Sequence, residues 1–286
     1  MKKILLTFAL GLLPTGLVAW ADDAPAPDKG AFTLFNPTPD ASLRGFCTDR
    51  PTKSTGPCTI DAGHLQVEVD LADRTVQRSG GIRTRTDLVA TPTVKLGITN
   101  GLDLELSLAP SIDVETRTPT RTSSVQGSGD LYLRAKYNLV GDDSGSLALA
   151  VSPFIKIPTA GHAIGNGKVE GGVVAPIQYT TKDGLQVLTD PEVDLLEDAD
   201  GRGRHVNIVN LISVTRPVTK TVSASAELWT DTNFEPSKTV VQASFDLGLA
   251  WIPAALPTWQ VDGGVNFGLN RSTPVSQVYA GLSHRF

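Results

Sequence analysis

The sequence lacks the features that mark a small cysteine-stapled domain, a helical membrane protein or a nucleic-acid-binding protein. Its 286 residues include only two cysteines, one methionine and 6% aromatic residues. Beyond the N-terminus no stretch approaches the roughly 18 uncharged apolar residues of a membrane helix. The net charge of −5 argues against nucleic acid as a partner. A membrane protein built from strands is not excluded, because its apolar residues alternate with polar ones.

The N-terminus has the pattern of a secretory signal peptide. Lys2 and Lys3 precede an apolar run over residues 4–18, and Ala19-Trp20-Ala21 supplies small residues at the first and third positions. A positive end, a short apolar stretch and such a site are typical of export signals. We therefore predict a signal peptide over residues 1–21, with cleavage before Asp22.

The two cysteines, Cys47 and Cys58, lie in an irregular N-terminal segment over residues 22–63 that is rich in proline, threonine and glycine. An exported protein meets an oxidising compartment, so we predict a disulfide between them. Metal ligation by the two thiols is the disfavoured alternative, since no histidine has zinc-ligand spacing nearby. The segment can lie inside a barrel lumen as a plug, or it can remain in the periplasm.

From residue 64 onward the hydrophobic period is that of a strand. The run Leu102 to Leu108 alternates leucine with polar residues, and a helix of this sequence would mix both classes on every face. The remainder of the chain, residues 64–286, repeats this alternation. It predicts twelve strands, at 64–71, 86–98, 102–115, 129–140, 146–157, 168–180, 184–195, 205–215, 221–232, 238–252, 258–270 and 275–286.

Short and long connectors largely alternate along the predicted strands. Asn100-Gly101 and residues 141–145 are tight turns, whereas residues 72–85, 116–128 and 197–204 are longer and more polar. Antiparallel barrels of the outer membrane have short periplasmic turns and longer external loops. The pattern predicts an all-β fold, a twelve-stranded antiparallel transmembrane barrel in the bacterial outer membrane. A soluble periplasmic β-sandwich is the less favoured alternative.

The aromatic residues support a lipid-facing apolar surface. Tyr137, Tyr179, Trp251, Trp259 and Phe286 occupy apolar-face positions close to short turns or the C-terminus. A row of this kind is typical of the aromatic girdle at one membrane interface.

Five prolines fall inside the predicted strands, where each removes a ladder hydrogen bond. All lie seven to ten residues from the nearest short turn, so we expect bulges or kinks near one height of the barrel. These residues are Pro92, Pro110, Pro153, Pro176 and Pro191.

The polar face of the strands would line the lumen, and acidic residues outnumber basic ones on it. Such a wall favours cations or polar neutral solutes. In the alternative interpretation the charges pair across neighbouring strands and fill the interior. The lumen-lining candidates are Glu68, Asp70, Asp103, Glu105, Arg134, Lys136, Glu170, Asp190, Glu192, Glu227, Asp246 and Asp262.

Two parts of the chain resemble known proteins. The ending from Val278 to Phe286 resembles the C-terminal strand of bacterial outer-membrane barrels, which implies recognition by the barrel-assembly machinery through Phe286. The runs Thr48 to Ser54 and Asp61 to Glu68, with Pro57 between them, resemble the transporter-like outer-membrane family called "putative MetA-pathway of phenol degradation". This resemblance implies an outer-membrane barrel linked to uptake of small organic compounds.

No set of residues has the spacing of a catalytic, cofactor-binding or metal-binding site. None of the four histidines has a serine or cysteine nearby in a recognisable motif. The acidic run Glu197 to Gly201 hints at a calcium loop, but Leu196 occupies the first ligand position, which favours a solvated loop. We predict a non-enzymatic barrel without cofactor or metal that contacts membrane lipid and passes small organic or polar solutes. The alternative is a plugged structural or surface-interaction barrel.

Overall fold

The computed structural model describes residues 28–143 and 145–286. Sixteen β-segments and one short 3-10 helix, Asp40–Ser42, account for its regular structure. No helix among these residues is both long and apolar enough to cross a membrane. The predicted signal peptide lies outside the described residues.

Every pairing between neighbouring segments of the sheet is antiparallel. The first eight are β1 Leu65–Ser79, β2 Ile82–Thr99, β3 Leu102–Leu108, β4 Ser111–Arg117, β5 Thr122–Gly127, β6 Leu131–Val140, β7 Leu147–Ile157 and β8 Glu170–Val174. The second eight are β9 Ile177–Thr180, β10 Gln186–Thr189, β11 Glu192–Glu197, β12 Arg204–Pro217, β13 Val222–Asn233, β14 Val240–Trp251, β15 Trp259–Gly268 and β16 Ser276–Arg285.

The sheet closes on itself because β1 pairs with both β2 and β16. Four barrel strands are each made of two segments. The composite strands are β3 with β4, β5 with β6, β8 with β9, and β10 with β11. In three of them both segments pair with one neighbour: β3 and β4 with β2, β8 and β9 with β7, and β10 and β11 with β12. In the fourth, β5 pairs with β4 and β6 pairs with β3. The sixteen segments therefore form twelve strands, as the sequence predicts.

Proline interrupts three of these four composite strands. Pro110 separates β3 from β4, Pro176 separates β8 from β9, and Pro191 separates β10 from β11. Proline has no N–H to donate, so the ladder breaks there and resumes on the same neighbour. Pro92 and Pro153 lie within continuous segments.

Two predicted connectors are wrong, because the structure continues as strand there. The sequence predicts loops over 72–85 and 116–128, but β1 and β2 meet at Gly80-Gly81, and β4 and β5 are separated only by residues 118–121. Gly80 and Gly81 both have positive φ, at 56° and 80°, as a tight hairpin turn requires. Both faces of these hairpin ends are mostly polar and carry only isolated apolar residues such as Val76, Ile82 and Val125, so no apolar alternation marks them as strand.

The barrel is polar inside and apolar outside, as predicted. Asp103 is 0% exposed and Glu227 is 1% exposed. The outward neighbours Leu104 and Leu228 are 47% and 51% exposed. A soluble barrel would reverse this arrangement, because apolar burial in water stabilises the folded state.

The aromatic row lies on the outer surface near the short-turn end. Tyr137, Tyr179 and Trp251 are exposed there, each within a few residues of a turn. Trp259 stacks on His284, with ring centroids 3.9 Å apart, and His284 meets the ring of Phe286 edge-on at 4.3 Å. The penultimate-strand tryptophan and the C-terminus therefore form one aromatic cluster.

Candidate functional site: the lumen and its inserted segment

Residues 43–62, which we call the inserted segment, lie inside the barrel. The disulfide between Cys47 and Cys58, with Cα atoms 6.9 Å apart, joins its two halves. At one end of its path the backbone N–H of Ile60 donates to Asp103 at 2.9 Å. Farther along, the N–H of Thr55 donates to Asp190 at 2.7 Å. These two acids are on strands far apart in the barrel, so the segment spans the lumen.

Asp49 is the centre of a buried ion network. Its carboxylate lies 2.8 Å from the Lys136 ammonium and also pairs with Lys95. The two lysines in turn contact strand carboxylates, Lys136 with Glu105 at 3.0 Å and Lys95 with Glu68 at 2.6 Å. Burial alone would raise the pKa of Asp49, but Lys136 and Lys95 lower it well below its ordinary value.

Arg50 anchors the segment to the neighbouring part of the wall, on β1 and β15. Its guanidinium donates to Asp262 at 2.7 Å and also pairs with Asp70. Gly281 on β16 makes room for this contact, because a Cβ atom built there would collide with the guanidinium. Burial would lower the pKa of Arg50, but the two carboxylates raise it above its ordinary value, so the cation is retained.

Lys53 extends toward strands β13 and β14. Its ammonium lies 2.9 Å from Asp246 and 2.6 Å from the Ser244 hydroxyl, and it stands 4.3 Å from the centre of the Trp229 ring. Its backbone N–H donates to Glu227 at 3.3 Å. Both main chain and side chain of this residue are thus engaged by the lumen wall.

A second group of ion pairs ties the segment to a short turn. Arg44 lies 2.6 Å from Asp142 and 3.4 Å from Asp61. Lys29 lies 2.9 Å from Asp61 and 2.7 Å from Asp143. Burial raises the pKa of Asp142 overall, although Arg44 opposes the shift. The segment is therefore fixed at its entry as well as within the lumen.

All twelve predicted lumen residues project to the interior. They share buried or half-buried side chains and alternate with outward apolar neighbours. The inserted segment contacts nine of them directly, namely Glu68, Asp70, Asp103, Arg134, Lys136, Asp190, Glu227, Asp246 and Asp262. Of the other predicted residues, Glu105 pairs with Lys136 and Glu170 with Lys156.

Asp49, Arg50 and Lys53 could not be recognised as site residues from the sequence, because the inserted segment has no periodicity to orient its side chains. One signal could have found the cations. A wall with excess carboxylates needs counter-charge if it is buried. Arg50 and Lys53 lie in the irregular stretch just before the first strand.

Several lumen carboxylates have no cationic partner. Within residues 28–143 and 145–286, no lysine or arginine nitrogen lies within 4.0 Å of them. These residues are Asp103, Asp190, Glu192, Asp194, Glu227 and Asp231. The inserted segment therefore neutralises only part of the acidic wall.

A cavity of about 370 Å³ runs between the inserted segment and the wall. Neutral polar side chains dominate its wall side, including Gln178, Gln186, Ser213, Thr215 and Gln260. It also reaches the short turns at Gly141 and Gly184, so it leads toward the short-turn end. The cavity offers hydroxyl and amide groups to a small polar solute.

A family model described as "Putative MetA-pathway of phenol degradation" matches residues 48–286. No curated protein matches the sequence. Among solved structures, the COG4313 outer membrane channel from Pseudomonas putida F1 is similar at a TM-score of 0.67 and 14% identity, covering 82% of this chain and 100% of that one. The translocator domain of the autotransporter NalP from Neisseria meningitidis has a TM-score of 0.48 at 13% identity, covering 78% and 88%. The NanC porin has a TM-score of 0.48 at 14% identity, and the match covers 77% of this chain and 98% of that one.

Proposed function

We propose that this chain, which belongs to the family described as "Putative MetA-pathway of phenol degradation", is an outer-membrane channel for small organic or polar solutes. The observation that carries the proposal is the orientation of the barrel. Its interior is lined by carboxylates, amides and hydroxyls, and its exterior by leucine, valine and aromatic side chains. A polar interior inside an apolar belt is what a water-filled passage across lipid requires.

The inserted segment limits the passage to small solutes. It crosses the lumen and leaves beside it the cavity of about 370 Å³. The path therefore has a neutral, hydroxyl- and amide-lined part next to the segment and unpaired carboxylates elsewhere in the lumen. Carboxylates without counter-ions attract cations and repel anions when they are ionised. We expect cations and small neutral solutes to pass more readily than anions.

Planar-bilayer recordings test both parts of the proposal. We expect wild-type protein to conduct, and its reversal potential under a salt gradient to show cation preference. The double variant Glu192→Gln/Asp231→Asn removes two unpaired carboxylates that do not contact the inserted segment, so its cation preference should fall. Asp200→Asn, in an exposed loop, is the matched control and should leave the preference unchanged. Anion preference of the wild type would refute the selectivity.

The second candidate is a structural barrel with a closed lumen. The observation in its favour is the dense ion pairing between the inserted segment and the wall. Absence of conductance in correctly folded protein, identified by heat-modifiable gel migration, would favour it. A measurable conductance excludes it.

The lipid contact and the assembly route belong to the same proposal. The outward leucines and valines would meet the outer-membrane lipid, and the aromatic row the headgroup region. Phe286 directly follows β16 and lies beside His284, where the assembly machinery would recognise it. Deleting Phe286 should lower the amount of folded barrel in the outer membrane, and an unchanged amount would exclude this role.

A further inference from the structure

Three potential metal ligands converge at the long-loop end of the barrel, opposite the short turns. Asp198 directly follows β11, His205 is the second residue of β12, and Glu235 follows β13 by two residues. The pairing of β11 with β12 and of β12 with β13 brings these positions together. His205 shares the inward face of β12 with Asn207, so the cluster lies at the mouth of the lumen.

The ligating atoms are close enough to share one ion. The His205 Nδ1 lies 2.8 Å from Asp198 Oδ1 and 3.4 Å from Glu235 Oε2. All three atoms lie within 4.8 Å of one another. Zinc bonds of about 2.0–2.2 Å in a tetrahedral site imply ligand separations of about 3.3–3.6 Å. A lengthening of the Asp198–His205 contact, together with a separation in this range between Asp198 and Glu235, would meet this geometry.

The two carboxylates carry uncompensated charge. Among the described residues, neither Asp198 nor Glu235 has a lysine or arginine within 4.0 Å, and His205 is the only basic group that pairs with them. Glu235 is held in place by the backbone N–H of Ala199 at 3.1 Å. The Asp198 N–H donates to the Gly203 carbonyl at 3.0 Å, which fixes the loop that carries it. The ligands are thus positioned before any cation binds.

His205 presents its Nδ1 to the two carboxylates and keeps its Nε2 on the other side of the ring. The residue is 8% exposed, and its Nε2 has no hydrogen-bond partner within the part of the chain that the structure describes. A buried imidazole nitrogen without a partner is uncommon and costs stability. The Nδ1 contacts to Asp198 and Glu235 fix the orientation of the ring, and a cavity of about 470 Å³ adjoins the residue. That open side leaves room for water to complete a coordination shell.

We propose that Asp198, His205 and Glu235 bind a divalent transition-metal ion, with Zn²⁺ as the best fit, at the outer mouth of the barrel. One imidazole nitrogen and two carboxylate oxygens with an open position resemble zinc sites that keep a fourth place for water. Ca²⁺ takes six to eight oxygen ligands, and Mg²⁺ favours oxygen. The bound ion adds positive charge to an acidic mouth, so it reduces cation entry.

Calorimetric titration of the folded, detergent-solubilised protein with Zn²⁺ alone tests the site. We expect one site per chain in the wild type, and a loss of affinity of at least about tenfold in His205→Ala and in Asp198→Asn. His162→Ala and Asp200→Asn are controls of the same residue types at exposed positions outside the cluster, and both should bind Zn²⁺ as the wild type does. Heat-modifiable migration verifies that each variant is folded.

Two results would overturn the proposal. One is the absence of Zn²⁺ binding by the folded wild type at millimolar concentration. The other is wild-type affinity in both His205→Ala and Asp198→Asn, which would assign the binding to other surface groups. If His205→Ala does not fold, Asp198→Asn alone decides, because it preserves the shape of the side chain. Zn²⁺ binding is measured independently of conductance, so its outcome does not depend on whether the barrel is a channel.

Discussion

At the residue scale, Asp49 links the inserted segment to the wall. It pairs with Lys95 and Lys136, which also bind the strand carboxylates Glu68 and Glu105. Three acids therefore share two bases in a site with little exposure to water. Removing one member of such a buried network leaves charges without partners, which costs more than losing a surface ion pair.

We predict that Asp49→Asn loosens the inserted segment and raises single-channel conductance several-fold. The amide keeps the shape of the side chain but loses the attraction to both lysines. Asp200→Asn, in a loop at the far end, should conduct as the wild type does. Equal conductance of the Asp49→Asn variant and the wild type would show that this network does not hold the segment.

The lowered pKa of Asp49 predicts how the conductance difference between the wild type and Asp49→Asn depends on pH. Because the pKa of Asp49 is lowered, its stabilising contribution is complete above the ordinary carboxyl pKa of about 4. It is lost only as the pH falls through the lower, folded-state value. The conductance difference between the wild type and Asp49→Asn should therefore persist from pH 7 to about pH 4. Its disappearance at pH 6 would contradict this assignment.

Residue orientation could be predicted from the sequence, but residue partners could not. The alternation around Asp103, Glu105 and Glu227 places these side chains inside, since period two fixes the face. The partner of each depends on where a non-periodic chain passes. Nothing in the pattern of residues 43–62 assigns Arg50 to Asp262 or Lys53 to Asp246.

At the scale of elements, the inserted segment is a closed loop within a closed sheet. The disulfide spans a sequence separation of 11 residues. In the chain-entropy model, closing a loop of this length stabilises it by roughly 3 kcal/mol. The ion pairs of Asp49, Arg50 and Lys53 all lie between the two cysteines, so the bridge limits their freedom when any one pair breaks.

We predict that Cys47→Ser/Cys58→Ser increases amide hydrogen exchange across residues 43–62 and leaves exchange in the strands unchanged. The loop loses its covalent constraint, whereas the barrel ladder is independent of it. Lys182→Ser, in an exposed turn, serves as a control with no expected effect. Exchange rates in the segment equal to those of the wild type would show that the ion pairs alone hold it.

Element count follows from the sequence more reliably than element length. Leucine alternation and turn residues such as Asn100-Gly101 predict twelve strands, because the lipid-facing side needs apolar residues. The outer ends of β1, β2, β4 and β5 extend beyond the apolar band, where both faces meet water. Their inward and outward residues do not differ consistently in polarity, so the sequence of these hairpins resembles that of loops.

At the scale of the whole molecule, closure of the sheet and its inverted polarity act together. The pairing of β1 with β16 leaves the barrel without a free edge, as a lipid environment demands. The apolar exterior then supplies the belt and the acidic interior supplies the passage. The proposed passage of solutes depends on this arrangement in a bilayer.

The reactivity of cysteines introduced at two adjacent positions on β12 tests the polar-inside, apolar-outside orientation of the barrel most directly. Val214 is 40% exposed and faces outward, whereas Thr215 lines the cavity of about 370 Å³. The two native cysteines are joined in a disulfide, so an introduced cysteine is the one free thiol that the reagent can label. In reconstituted vesicles, Thr215→Cys should react with a charged, water-soluble maleimide and Val214→Cys should not. Reaction of Val214→Cys with protection of Thr215→Cys would contradict the account.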